Sequence, residues 1–271
     1  MVPVVPRRDR IHILREFLLV KFDVEELRRG FVLDVAGGKG DLSFVLCNAD
    51  GLQSVVVDPR CPDHDKIMRT CLWYHENKNT DKQQQQQEEG QALARLALSP
   101  PFQIPRHLRM FFDANLLSVL EQQHLQQINN NDTINEESGT WDLYWEETRQ
   151  LVQKLETAFP PHRQKKKHKS ITTQPQQEES QPRNHIVHSA NTAWQILKKV
   201  TLVIGFHPDE ATDACIDFAL ERRLPFVVCP CCLFSSFFPH RRLRDEKGNH
   251  RPVTNYDDYI RYLQNKDPRI R

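Results

Sequence analysis

The stretch Phe31–Leu46, FVLDVAGGKGDLSFVL, constrains this chain more than any other. A short apolar run carries Asp34 near its end, Gly37, Gly38 and Gly40 follow in a dense turn, and a helical pattern resumes at Asp41. Such a turn brings backbone amides against a ligand without Cβ interference, and the helix behind it offers free N–H groups and a positive dipole end. A second apolar run, Ser54–Asp58 (SVVVD), ends in an acid. A carboxylate some ~20 residues past a glycine loop is where nucleotide-binding βαβ units hold ribose hydroxyls. Loop, helix and second acid read together as a cofactor site, against the plainer alternative of an ordinary βα turn.

The rest of the chain continues the parallel α/β order with interruptions. Asp9–Arg29 has apolar residues at near-helical spacing and predicts one or two helices covering the first strand. Strands are expected at Phe31–Ala36, Ser54–Asp58, Arg109–Phe112, Val200–Gly205 and Pro225–Cys229, with helices at Asp41–Cys47, Asp65–His75 and Asp213–Arg222. Short continuous apolar runs separated by helices argue for a parallel sheet covered on both faces. The expected fold is therefore α/β, with a doubly wound, mostly parallel sheet in one domain spanning 1–271. Low-complexity inserts interrupt it at about 78–91, 121–140 and 160–189. Within these, Lys78–Gln91, Gln122–Glu137 and His162–Arg183 are too polar to build a core and read as disordered. Trp141–Phe159 has an apolar stripe that reads as a helix docking on the domain, or else as a helix for a partner. Lys165–Lys169 (KKKHK) reads as a nuclear import signal, a nucleic-acid contact or a solvated basic tract.

The 271 residues, 38% of them hydrophobic, supply one sizeable core, and a net charge of +1 makes the whole molecule no obvious polyanion binder. No run approaches the ~18 apolar residues of a membrane span, and VPVVPRRDR after Met1 is too short and proline-broken for a secretory leader. The seven cysteines form no regular framework, so reduced thiols in an intracellular compartment, cytoplasm or nucleus, are expected. The closing segment His240–Arg271 has nine Lys/Arg against five Asp/Glu and reads as a phosphate-facing, RNA-contacting surface or a loosely basic tail. Within it Thr254–Leu263 reads as a helix, and no further apolar strand run follows.

Two loops after the later strands carry candidate chemistry. Gly205–Asp209 (GFHPD) and Pro230–Cys232 (PCC) both fall at carboxyl ends of strands, the edge where ligands bind in such sheets. His207 is a candidate general base, with Asp209 orienting it or holding a substrate donor; alternatively His207 and Pro208 shape a tight turn and Asp209 caps the helix starting near Glu210. Cys229, Cys231 and Cys232 admit zinc binding, nucleophilic attack on a base, or the lining of a tight pocket by small side chains. C-x-C-C lacks the paired spacing of a zinc knuckle, and no second knuckle follows it.

Asp34, Ala36, Gly38 and Gly40 fall in the places of D-x-G-x-G-x-G, and the chain thereby resembles the class I S-adenosylmethionine-dependent methyltransferases, with Ala36 where the first glycine stands. Gly205, His207, Ala211–Asp213 and Cys231–Cys232 sharpen this to a resemblance to the branch that includes tRNA ribose 2′-O-methyltransferase-type and methyltransferase-like proteins. DVAGGKGDLSF, VVDPR and KDPRIR are similar to segments of eukaryotic microbial members of unassigned substrate. The resemblance covers about 9–75, 105–118 and 195–271 and implies a Rossmann-like fold with S-adenosyl-L-methionine as cofactor. It implies Asp34, Ala36, Gly37, Gly38 and Gly40 around the methionine moiety, Asp58 at the ribose, and Asp113 with Ala114 beside the adenine. His207, Asp209, Cys231 and Cys232, read from the two loops, are the candidate catalytic residues. RNA, with tRNA favoured, is the expected acceptor; a protein or small-molecule acceptor and a non-catalytic cofactor-binding module are the alternatives. GFHPD stands where N-P-P-Y or D-P-P-Y marks amino-methyltransferases, which weakens N-methylation of a base. No run matches the antiparallel strand pair that usually closes such sheets, so the expectation is either a C-terminally truncated chain or a shortened sheet that lacks the pair and leaves an exposed edge.

Overall fold

The computed structural model describes residues 9–61, 66–71, 101–129, 139–159, 185–244 and 248–271. Five parallel strands, β1 (Phe31–Val35), β2 (Gln53–Val57), β3 (Arg106–Leu108), β4 (Val200–Phe206) and β5 (Phe226–Cys229), form one sheet in the order β3-β2-β1-β4-β5. The strand order reverses between β1 and β4, and helices cover both faces, giving a Rossmann-like α/β architecture. On one face lie α1 (Arg10–Lys21), α2 (Val24–Arg28) and α3 (Asp41–Asp50), whose Leu14, Leu18, Leu27, Leu42 and Leu46 pack on Val32, Leu202 and Ile204. A short α4 at 66–71 backs α3 through Ile67 and Cys71 against Phe44 and Val45.

The opposite face is covered by α5 (Ala114–Asn129), α6 (Thr140–Ala158), α7 (Ala190–Lys198) and α8 (Thr212–Glu221). There Leu33, Val35, Val55, Val57 and Val203 meet Leu116, Trp141, Trp194, Ala214 and Phe218. The docking reading of α6 holds. Trp141 and Trp145 are buried, and their indole N–H groups donate to Ala190 O (2.7 Å) and His188 O (3.1 Å).

Four departures from the sequence reading have physical causes. The third strand is Arg106–Leu108, not Arg109–Phe112. Its register pairs Val55–Val57 with Arg106–Leu108, and the more apolar residues behind it belong to the following loop. Second, α5 continues to Asn129, through the first part of the tract read as disordered. Leu116 and Leu120 anchor it in the core, and Gln123 Oε1 accepts the Trp141 N–H at 3.1 Å, tying α5 to the start of α6.

Third, residues 185–187, assigned to the last insert, pair with the outer edge of β3. His107 N donates to His185 O and Val187 N to His107 O, both 2.9 Å. Fourth, an antiparallel pair does follow β5, as β6 (Arg242–Arg244) and β7 (His250–Pro252), but it forms a sheet of its own. Its alternating polar residues hide the pattern; Leu243 and Val253 point inward with Tyr259 and Leu263 of α9 (Tyr256–Gln264) against Ile216 of α8. The tracts Lys78–Gln91 and His162–Arg183, with KKKHK inside the latter, lie outside the described residues.

The basic closing segment is held by internal charge pairing. Buried Arg241 donates through Nε (2.8 Å) and Nη2 to Asp213 Oδ2, its guanidinium 3.8 Å from the Phe238 ring centre and 4.6 Å from that of Tyr259. Lys266 Nζ lies 2.9 Å from Asp213 and 2.7 Å from Asp217. Although burial works against ionisation, Lys266 and Arg241 hold the Asp213 carboxyl below its ordinary range. Arg251 pairs with Asp258, and Arg269 with Asp267. Among the described residues of this segment, Arg241, Arg251, Lys266 and Arg269 are therefore engaged in ion pairs within the fold.

Candidate cofactor site

A cleft of about 690 Å³ opens at the carboxyl ends of the strands. That size falls within the ~300–1,000 Å³ typical of small-molecule sites, and its place at the reversal of strand order is where open α/β sheets bind ligands. Ala36 follows β1, Asp58–Arg60 follow β2, Met110–Asn115 follow β3, and Pro208–Ala211 follow β4 around it. Asp213, Ala214 and Asp217 of α8 extend the wall, and Phe238, His240, Tyr262 and Lys266 from the closing segment complete it.

Of the residues singled out from sequence, the cleft brings together Ala36, Asp58, Asp113, Ala114 and Asp209. Asp58 lies at its floor, 1% exposed, with Oδ2 accepting the Gly38 N–H at 2.9 Å. Arg60 donates to the same carboxylate from its backbone N (2.8 Å), Nε and Nη2 (3.0 Å each). Asp113 Oδ1 accepts the N–H groups of Asn115 and Leu116, both at 3.1 Å, and so caps α5 while bordering the cleft.

Asp34 and the glycines stand behind this surface rather than on it. Asp34 is 2% exposed and accepts a 2.9 Å bond from Ser43 Oγ of α3. Burial pushes its carboxyl up to about 7, with neighbouring Asp41 and Asp58 adding to the rise. The glycines fit the loop around it. A Cβ on Gly37 would sit 2.7 Å from the Asp34 carboxyl carbon, and one on Gly40, at φ +81°, would sit 2.8 Å from Val56 Cγ2. Ala36 takes φ +53°, and across the strand reversal His207 and Asp209 take +57° and +49°. Three non-glycine residues in the left-handed region at neighbouring strand ends mark stored backbone strain, which concentrates at functional sites.

The candidate catalytic set separates. Asp209 reaches the cleft, but His207 does not line it; its ring packs on Phe206, 4.6 Å between centroids, and its N–H donates to Cys229 O at 3.1 Å. Asp209 does not cap the following helix with its side chain. Instead its Oδ1 accepts from Cys231 Sγ at 3.1 Å. Burial and that carboxylate push the Cys231 thiol up to about 12, opposite to the lowered value an attacking thiolate needs. Cys231 and Cys232 do not line the cleft. All seven cysteines are unbridged.

Sequence reasoning did not single out Arg60 as a site residue, although D-P-R places a guanidinium two residues past the acid. It also missed His240, Tyr262 and Lys266, which reach the wall only because α9 folds back on α8. The lining carries six carboxylates (Asp58, Asp113, Asp209, Glu210, Asp213, Asp217) against Arg60 and Lys266. Among the described residues, no helix is long and apolar enough to cross a membrane. Comparison with protein-family models, with curated proteins and with solved structures finds no match.

Proposed function

We propose that this chain binds S-adenosyl-L-methionine in the cleft at the strand ends and transfers its methyl group. The observation that carries this reading is the contact between the glycine loop and the second-strand acid: Gly38 N–H on Asp58 Oδ2 at 2.9 Å, at the floor of a cleft of about 690 Å³. A ribose diol there would donate to the Asp58 carboxylate, displacing part of the Arg60 contact, with Asp113 and Ala114 flanking the adenine. Asp34 supports the loop from below instead of touching the cofactor. The acidic lining favours a ligand that carries positive charge, as a sulfonium does.

For the acceptor we retain RNA, with tRNA favoured. Arg242, Arg244 and Arg261 are exposed on the closing segment, and Phe237 is 73% exposed on the loop leading to it, offering cations and a stacking surface. The same acidic lining supports a second reading, a small-molecule or protein acceptor of neutral or positive charge. Calorimetry with S-adenosylhomocysteine tests the cofactor; absence of binding removes the proposal. Transfer of labelled methyl from S-adenosyl-L-methionine to total RNA, protein extract or metabolite pools separates the acceptors, and binding without transfer to any of the three favours a non-catalytic module.

A further inference from the structure

Asp209, Cys231 and Cys232 place one carboxylate oxygen and two sulfurs all within 4.8 Å of one another. From this we propose a zinc site at the rim of the cleft, with these three residues as its protein ligands. It rests on no assumption about the cofactor.

The topology supplies what the spacing of C-x-C-C lacks. β4 and β5 are parallel neighbours, so the loops leaving their carboxyl ends lie side by side, and Asp209 meets cysteines 22 and 23 residues further along the chain. The two loops are also fixed relative to one another. His207 N–H donates to Cys229 O at 3.1 Å, and the Tyr256 hydroxyl donates to Pro230 O at 2.9 Å, pinning the loop between the strand end and the thiols. Cys231 Sγ already stands 3.1 Å from Asp209 Oδ1. Around a tetrahedral ion with bonds of about 2.0–2.3 Å, ligand atoms lie roughly 3.5–3.8 Å apart, a spacing this cluster reaches by side-chain rotation.

The donor set selects the metal. Two thiolates disfavour magnesium and calcium, whereas the carboxylate oxygen suits zinc better than a soft monovalent copper ion. Three protein ligands and one open position is the arrangement of exchangeable, catalytic zinc, as opposed to closed structural sites. Binding releases the two thiol protons to solvent and changes no oxidation state. Asp209 also borders the cleft, so a zinc ion held here would stand at its rim and would lower the pKa of a coordinated hydroxyl or water.

The test uses the full chain, freed of metal by chelation and titrated with Co²⁺ as a spectroscopic probe, then with Zn²⁺ in competition. One equivalent of Co²⁺ is expected to produce a thiolate-to-metal charge-transfer band that Zn²⁺ abolishes. Cys231→Ser and Cys232→Ser should each weaken binding by more than about a hundredfold, the upper end of what losing a supporting partner costs. Asp209→Asn should weaken binding at least tenfold while retaining the band, and Cys229→Ser should match the wild type. Absence of the band in the wild type overturns the site, as does its persistence in a Cys231→Ser, Cys232→Ser double variant. Should the serine variants misfold, alkylation of the wild type decides. Zinc is expected to shield Cys231 and Cys232 but not exposed Cys61, and equal labelling with and without zinc overturns the proposal. S-adenosylhomocysteine calorimetry on the metal-free chain is read separately, so failure of either site leaves the other standing.

Discussion

The Arg60 guanidinium grips the Asp58 carboxylate at two points, Nε to Oδ1 and Nη2 to Oδ2, each 3.0 Å long. The partners differ sharply in exposure, 68% for the Arg60 side chain and 1% for that of Asp58. A ligand hydroxyl approaching Asp58 would therefore compete with an exposed cation for a buried anion.

The first prediction follows from that competition. Asp58→Ala should weaken S-adenosylhomocysteine binding by roughly ten- to a hundredfold, through loss of charge-assisted hydrogen bonds. Arg60→Ala should instead tighten it, by no more than about fivefold, because the competing guanidinium is 68% exposed and solvent screens its pull on Asp58 to ~1 kcal/mol. Calorimetry on both variants checks the pair of signs. Weakening by Arg60→Ala would mean the guanidinium contacts the ligand.

A second prediction concerns pH. The Asp34 carboxyl is raised from 3.8 to about 7 by burial. Below about pH 4 it is protonated whether the chain is folded or not, and above about pH 7 it is ionised in both states. Between these limits the folded chain holds a proton that the unfolded chain lacks, so this group's contribution lowers stability as pH rises, by up to about 4 kcal/mol. Asp34→Asn keeps a neutral group beside Ser43 and should remove that slope. Urea unfolding of both proteins across this pH range reads the difference, and parallel curves would refute the assignment.

The closing segment supplies a third. Arg241→Ala leaves Asp213 short of a buried partner and strips two aromatic contacts, so unfolding free energy should drop by about 3–5 kcal/mol. Arg251→Ala, whose side chain is 43% exposed, should leave the melting temperature nearly unchanged. Thermal melts of the two variants compare them directly, and equal melting temperatures would show that the Arg241 pairing does not anchor the segment.

The fourth separates docked from exposed positions on α6. Trp145→Ala removes a buried indole and its bond to His188 O and should cost about 3–5 kcal/mol. Leu143→Ala, at a position 59% exposed, should change stability by less than ~0.5 kcal/mol. Chemical denaturation of each variant measures both, and a small effect at Trp145 would contradict the docking of α6.

Four of the five strands were readable because buried parallel strands are continuous apolar runs bounded by glycine or proline. β3 was displaced in the reading for a physical reason. Its centre is His107, fully buried and bonded through Nε2 to Asp58 O at 2.7 Å, while the apolar Met110 and Phe112 behind it turn into the cleft wall. The polar β6–β7 pair was hidden likewise, since Leu243 is its one buried residue and the next inward residue, Val253, follows β7. At the site, the position of the loop and of Asp58 was legible from the glycine spacing. The different fates of His207 and Asp209 were not, because they depend on successive left-handed turns that a residue string does not reveal. Nor was the meeting of Asp209 with Cys231, which follows from the pairing of β4 with β5.

The bond from Trp141 N to Gln123 Oε1 fastens the two helices that flank residues 130–138. With both anchors secured by the packed core, the length of chain joining them is nearly decoupled from the architecture, since each doubling adds only ~0.6 kcal/mol of closure entropy. The junction is thus a splice point. A folded reporter grafted there would travel as a passenger on the opposite sheet face from the glycine-loop helix α3, giving a labelled protein whose fluorescence follows the molecule without touching its chemistry.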